Sequence, residues 1–146
     1  MAISQAMCTS FKKELLEGKH DFNSAGHTFK IALYSAAATL SAGTTNFTTS
    51  GEVVGAGYSS GGIELTKVDP TASGTVGITN FGTATFTAVS ITARGGLIYN
   101  TTTDGTSSTT NAVCVLDFSS DQTAVAGNFV VSFPTADGTS AILRVE

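Results

Sequence analysis

The sequence predicts a mainly β fold: an antiparallel sandwich or barrel-like domain of seven to eight short strands, with one N-terminal α-helix. Three observations predict it. Val89, Ile91 and Ala93 alternate with Ser90, Thr92 and Arg94, the period of a strand with one buried face. Short runs of β-branched, aromatic and aliphatic residues recur along the chain, separated by turn signals such as Asp69-Pro70, Asp104-Gly105 and Asp137-Gly138. Only 12% of residues are charged while 41% are apolar, a composition too apolar for disorder and too poor in Lys and Glu for a set of long solvated helices. The 146 residues fit a single domain, 1–146, with the helix in 1–18 and the β domain in 27–146. A chain of this length buries roughly 70% of its unfolded surface, so it needs neither metal nor disulfide to fold.

Taken in order, residues 4–17 read as the helix. Ser4 can cap its start, Met7, Phe11 and Leu15 recur every four residues, and Cys8 and Leu16 widen the stripe. Gly18 suits the left-handed residue that ends a helix. So short a helix must dock by its apolar face. Its own sheet is the expected receiver, and an arm onto a neighbouring subunit is the alternative. Residues 19–26 form a polar link. Residues 28–35 form a strand with Phe29, Ile31 and Leu33 on one face. Residues 36–62 make a long loop rich in Ser, Thr, Ala and Gly, in which Glu52, Val53, Val54 and Tyr58 could form a short edge strand.

Residues 63–68 form the next strand, which Asp69-Pro70 stops. Residues 75–79 form another, and Asn80-Phe81-Gly82 turns the chain into the stretch 86–99 that anchors the fold. Gly95-Gly96 inside it predicts a bulge or bend. Residues 100–111 are a polar surface loop. Residues 112–118 are almost all apolar and predict a central strand buried on both faces. Residues 121–128 read as a loop, 129–133 as a strand ended by Pro134, and 141–145 as the last strand.

The residues supply no chemistry of bond making. A net charge of −4, with seven scattered basic residues, argues against nucleic acid. No apolar run approaches a membrane span, and the N-terminus lacks the pattern of a signal peptide, so synthesis in a cytosol is expected. His20 and His27 stand without clustered ligands and are expected at the surface. No Ser or Cys is placed beside a His and an acid in a recognisable pattern. Cys8 and Cys114 are expected as free, buried thiols, with a single bridge as the alternative. Asp117 is expected at a strand end or paired with Arg94 or Arg144. The scattered acids do not suggest sugar hydrolysis, and the lack of Trp weakens sugar binding by stacking. Residues 55–62 lack the Lys of a phosphate cradle. The expectation is therefore no catalytic residue, no cofactor, no metal and no small-molecule substrate.

The opening MAISQAMCTSFKKELLEGKHDF, the strand HTFKIALYS, the central ITARGGLIYN and the run AVCVLDFSSDQTAVAGNFVVSFP together resemble a group of small structural proteins of tailed bacteriophages. The resemblance covers nearly the whole chain and is one of pattern, with 100–111 more polar than the rest. It implies a virion protein made in the host cytoplasm, non-enzymatic, binding copies of itself and partners such as the major capsid protein. A capsid decoration (cement) protein is the first expectation, a tail or head-to-tail joining protein the second, and an adhesin-like host-surface module the third. On this reading Met7, Phe11 and Leu15 of the helix, Val53, Val54 and Tyr58 of the long loop, and Thr102 and Asp104 of the polar loop are the residues placed to touch neighbours.

Overall fold

A computed structural model describes residues 2–102 and 109–146. Among the described residues, two antiparallel sheets and one short N-terminal helix build a mainly β body with no closed barrel, consistent with a sandwich. In chain order the elements are β1 (Ala6–Met7), α1 (Thr9–Leu16), β2 (Phe29–Tyr34), β3 (Ile63–Glu64), β4 (Lys67–Ser73), β5 (Val76–Phe81), β6 (Ala84–Asn100), β7 (Asn111–Val131) and β8 (Leu143–Val145). The larger sheet runs β1-β7-β6-β2-β3 and the smaller β4-β5-β8.

The stretch expected to anchor the fold lies in β6, at the centre of the larger sheet. Val89, Ile91 and Ala93 are buried while Thr92 is exposed, as the alternation requires. The register against β7 shifts between Ala93 and Gly95, so the glycine pair does mark a bulge. A side chain at Gly95 would come within 2.4 Å of the Leu116 carbonyl oxygen, which explains the need for glycine there. Beyond the bulge, Leu97, Ile98 and Tyr99 pair on one side with Ala32, Ile31 and Lys30 of β2. In β2 both faces are buried except at Lys30, because the long loop covers the side left open by the core. Residues 112–116 of β7 are likewise buried on both faces, and β1 pairs with them as an edge strand (Ala6 opposite Val115, Met7 opposite Cys114).

Four expectations about the helix and the main strands need correction. First, the helix has eight residues, fewer than the expected span 4–17, and Ser4 does not cap it. Residues 2–7 are claimed by strand-type pairing instead: the Ser4 N–H donates to the Leu40 carbonyl at 2.9 Å, and the Leu40 N–H to the Ala2 carbonyl at 3.1 Å. Cys8 stands at the N-cap without a side-chain bond. The C-terminus follows expectation. Gly18 has φ +72°, its N–H donates to the Leu15 carbonyl and that of Lys19 to the Glu14 carbonyl, the paired closure of a Schellman motif. Leu16, placed on the apolar stripe, is 91% exposed.

Second, Asp69-Pro70 does not end a strand. The expected strand 63–68 is split into β3 and β4, and β4 passes through the proline. The register shifts between Val68 and Thr71, on the outer strand of the smaller sheet, where a residue without an N–H costs no ladder bond. Third, Asn80 and Phe81 belong to β5 and do not turn. Fourth, residues 121–128 are not a loop. They continue β7, paired with positions 89–93 of β6 through successive register shifts, with Ala88, Ser119 and Ala126 at φ +52°, +68° and +46°. Two of the strands are therefore long, not short. The expected turn at Asp104-Gly105 lies outside the described residues.

One continuous apolar cluster joins the elements. Phe22 of the link stacks on Phe29 of β2 at 4.4 Å between centroids, and Phe81 of β5 meets Phe29 at 5.8 Å, so aromatic rings bridge the two sheets.

Candidate functional site

The residues expected at an interface separate into three places. The first is a groove of about 320 Å³ between the helix region and the smaller sheet. Its walls include Met7, Phe11 and Leu15 on one side and Ile78, Leu143 and Val145 on the other. Met7 reaches it from β1 and not from the helix. Phe11 is only 1% exposed, so its ring is chiefly part of the chain's own core. Leu15 is half-buried, its neighbour Leu16 fully in solvent.

The second place is a shallow depression bordered by the long loop and the far half of the β6–β7 ladder. Val54 is 95% exposed and Val125 80%, and both line it, with Val53, Ile91 and Ala124 beneath. Val53 itself is buried, because its N–H donates to the Leu33 carbonyl at 3.0 Å and turns its side chain inward. Sequence reading found Val54 but not Val125. The signal was there: once 121–128 is a strand, alternation puts Ala124 inward and Val125 outward.

The long loop that carries Val54 is not loose. Glu52 pairs with Tyr34 as an isolated antiparallel bridge in place of the expected edge strand. Tyr58 closes a polar knot: its hydroxyl accepts the Leu33 N–H at 2.9 Å and donates to Glu52 Oε1 at 2.8 Å. The Gly61 N–H and Ser60 hydroxyl also donate to the Glu52 carboxylate, both at 2.7 Å, and Tyr99 donates to the Gly61 carbonyl at 2.6 Å. Burial raises the pKa of Tyr58 and brings Tyr99 to about 12, so both hydroxyls stay protonated donors. Tyr58→Phe leaves the Leu33 N–H without its acceptor. It is expected to cost about 1–3 kcal/mol in urea unfolding. An unchanged unfolding midpoint would show that water replaces the hydroxyl.

The third place is where α1, the polar link and the adjoining ends of β6 and β7 meet. His20 is not at the surface: its side chain is fully buried. Its Nε2–H donates to Glu14 Oε1 at 3.1 Å, and its Nδ1 accepts from Asn100 Nδ2 at 2.9 Å. Asn100, completely buried, also donates to His27 Nδ1 at 3.0 Å and accepts the Thr102 N–H at 2.8 Å through Oδ1. Asn111 donates to the other Glu14 oxygen. Thr102 is half-buried and accepts the Thr28 N–H at 2.8 Å, so it serves this junction. Asp104 lies outside the described residues.

Cys8 and Cys114 are free and buried. Burial, with the Glu14 charge adding, lifts Cys8 to about 11, and burial raises Cys114 too, so both are thiols with little nucleophilic thiolate. Asp117 pairs with Arg94 at 3.4 Å, one of the two partners expected. Among the described residues, no three His, Cys, Asp or Glu side chains are grouped to hold a metal, and no helix is long and apolar enough to cross a membrane. No protein family, curated protein or solved structure was found to match this chain.

Proposed function

We propose that this chain is a structural protein of a tailed-phage particle, a capsid decoration protein that holds the shell together by non-covalent contacts. One observation carries the reading beyond the sequence resemblance. Val54 and Val125 stand almost fully in solvent on one depression, held by a hydrogen-bonded loop and a long strand ladder. Exposed valines on a firm scaffold fit a contact surface, since burying such side chains is favourable by about 25 cal/mol per Å² of apolar area. A weakly charged surface lets neighbours approach without desolvating many ions. Contacts repeated over a lattice add through effective concentration, so each can be weak. A protein that binds only the mature shell stabilises that state by mass action.

The test uses purified particles. The chain should be abundant by quantitative mass spectrometry, and particles lacking it should disrupt at lower temperature. The double variant Val54→Asp with Val125→Asp should fold normally yet fail to restore that temperature. About a dozen copies per particle, with tailless heads on deletion, would replace the reading with a joining protein. Absence from particles together with binding of purified protein to cells would replace it with an adhesin.

A further inference from the structure

The buried junction at His20 is built for one protonation state. The Thr102 N–H fixes Asn100 Oδ1 as the acceptor, so Asn100 turns its amide nitrogen toward the histidines. That nitrogen has two hydrogens and spends them on His20 Nδ1 and His27 Nδ1. Both rings must therefore present a lone pair at Nδ1. For His20 the remaining proton sits on Nε2, where Glu14 accepts it. His27 Nδ1 also accepts the Asp21 N–H at 3.3 Å.

We propose that His20 and Asn100 form a proton-sensitive latch: a proton taken up at His20 Nδ1 sets N–H against N–H, breaks the Asn100 bond and frees α1 and the link from the end of the β6–β7 ladder. The groups around the ring are few. From α1 comes Glu14, whose carboxylate favours the cation; from the link come Lys19 and His27, which oppose it, and Asp21 beside His27. Lys67 of β4 donates to the His27 carbonyl. Asn100 of β6 and Asn111 of β7 are neutral. Phe11, Phe22 and Phe29 surround the ring at centroid distances of 4.8, 6.3 and 6.4 Å and exclude water. Burial outweighs Glu14 and holds His20 below its ordinary value near 6.5.

The sign follows. A histidine kept neutral in the fold contributes stability that is full above about 6.5, its unfolded value, and is lost as the pH falls from there through its lower folded value. Other lowered groups act in a separate, more acidic window: Glu17, held at about 2 by Lys13 and Lys19, with Asp21 and Asp137, lowered by the backbone N–H groups of Asn23 and Thr139.

Ring ¹⁵N shifts of His20 at pH 7.5 should show a bare Nδ1 and a protonated Nε2. Between pH 7.5 and 5.0, amide protection factors in α1 should fall by up to about tenfold per unit as the pH drops below about 6.5 and level off below the folded His20 transition, while those of Leu97 and Ile98 in β6 hold. Protonated Nδ1 at pH 7.5, or unchanged α1 protection, would overturn the latch. Asn100→Asp supplies an acceptor to Nδ1, and should keep His20 a cation at neutral pH and reverse the trend. If Asn100→Asp folds and keeps the wild-type trend, the latch is also overturned. If it does not fold, the ring shifts of the unaltered protein decide.

Discussion

Gly62→Ala is expected to destabilise the protein by about 2–5 kcal/mol, the combined size of left-handed strain and overpacking against a fixed backbone. Gly62 has φ +77°, and a Cβ there would lie 1.7 Å from the Ile31 carbonyl oxygen. That oxygen belongs to β2, the strand β3 pairs with directly after Gly62. The long loop thus returns to the sheet at a point with no room for one methyl group. The consequence should be local as well as global: the loop would detach, taking with it the Tyr58–Glu52 knot and the placement of Val54. Urea unfolding gives the loss, and Gly18→Ala is the control. Gly18 has φ +72°, and a methyl group there would meet nothing within 4 Å, so that change should cost only the strain, about 1 kcal/mol. Equal losses at the two positions would mean that β2 yields to the methyl group.

Phe29→Ala should cost about 3–5 kcal/mol, the range for removing a large side chain from a core that cannot close over the gap. Phe29 is fully buried, and its ring forms a triad with Phe22, nearly parallel at 4.4 Å, and Phe81 at 5.8 Å, which themselves lie 6.2 Å apart. The three rings belong to the link, the larger sheet and the smaller sheet. Their attachment to separate hydrogen-bonded elements limits how far they can move together. Against a typical total stability of about 5–15 kcal/mol the loss would be large. Thermal unfolding should show it as a lowered midpoint, with weakened protection in β5 as well as β2. A loss under about 1 kcal/mol would mean that the two sheets are joined mainly elsewhere.

The candidate surface was legible only in part. Val54 drew attention as part of a possible edge strand, with Glu52, Val53 and Tyr58, in the long loop; which of the two valines faces out depended on the Val53 bond to Leu33. Val125 was hidden by its setting among Ser, Asp, Gln, Thr and Gly, residues that commonly mark turns. In β7 their polar side chains face solvent while the backbone pairs with β6, and no local pattern announces a partner strand supplied from far along the chain. His20 illustrates the opposite error. A histidine in a polar link reads as solvated, yet Glu14 and Asn100 meet both its nitrogens, and three phenylalanines shut out water. Asn100 is 80 residues away in sequence, so nothing near His20 foretold it.

By itself the sequence determined a β-rich body with an N-terminal helix, the inward face of β2, the alternating faces of β6, the bulge at Gly95, the left-handed stop at Gly18 and the fully buried start of β7. Each of these rests on periodicity, or on a dihedral that glycine adopts without strain, and such information is carried by neighbouring residues. Only the tertiary structure decided that residues 2–7 pair as strand and shorten the helix, that β4 runs through Pro70, that β7 continues across a polar stretch, and which polar side chains are buried. Those outcomes turn on backbone partners and enclosing side chains contributed from far along the chain, which local propensity does not encode.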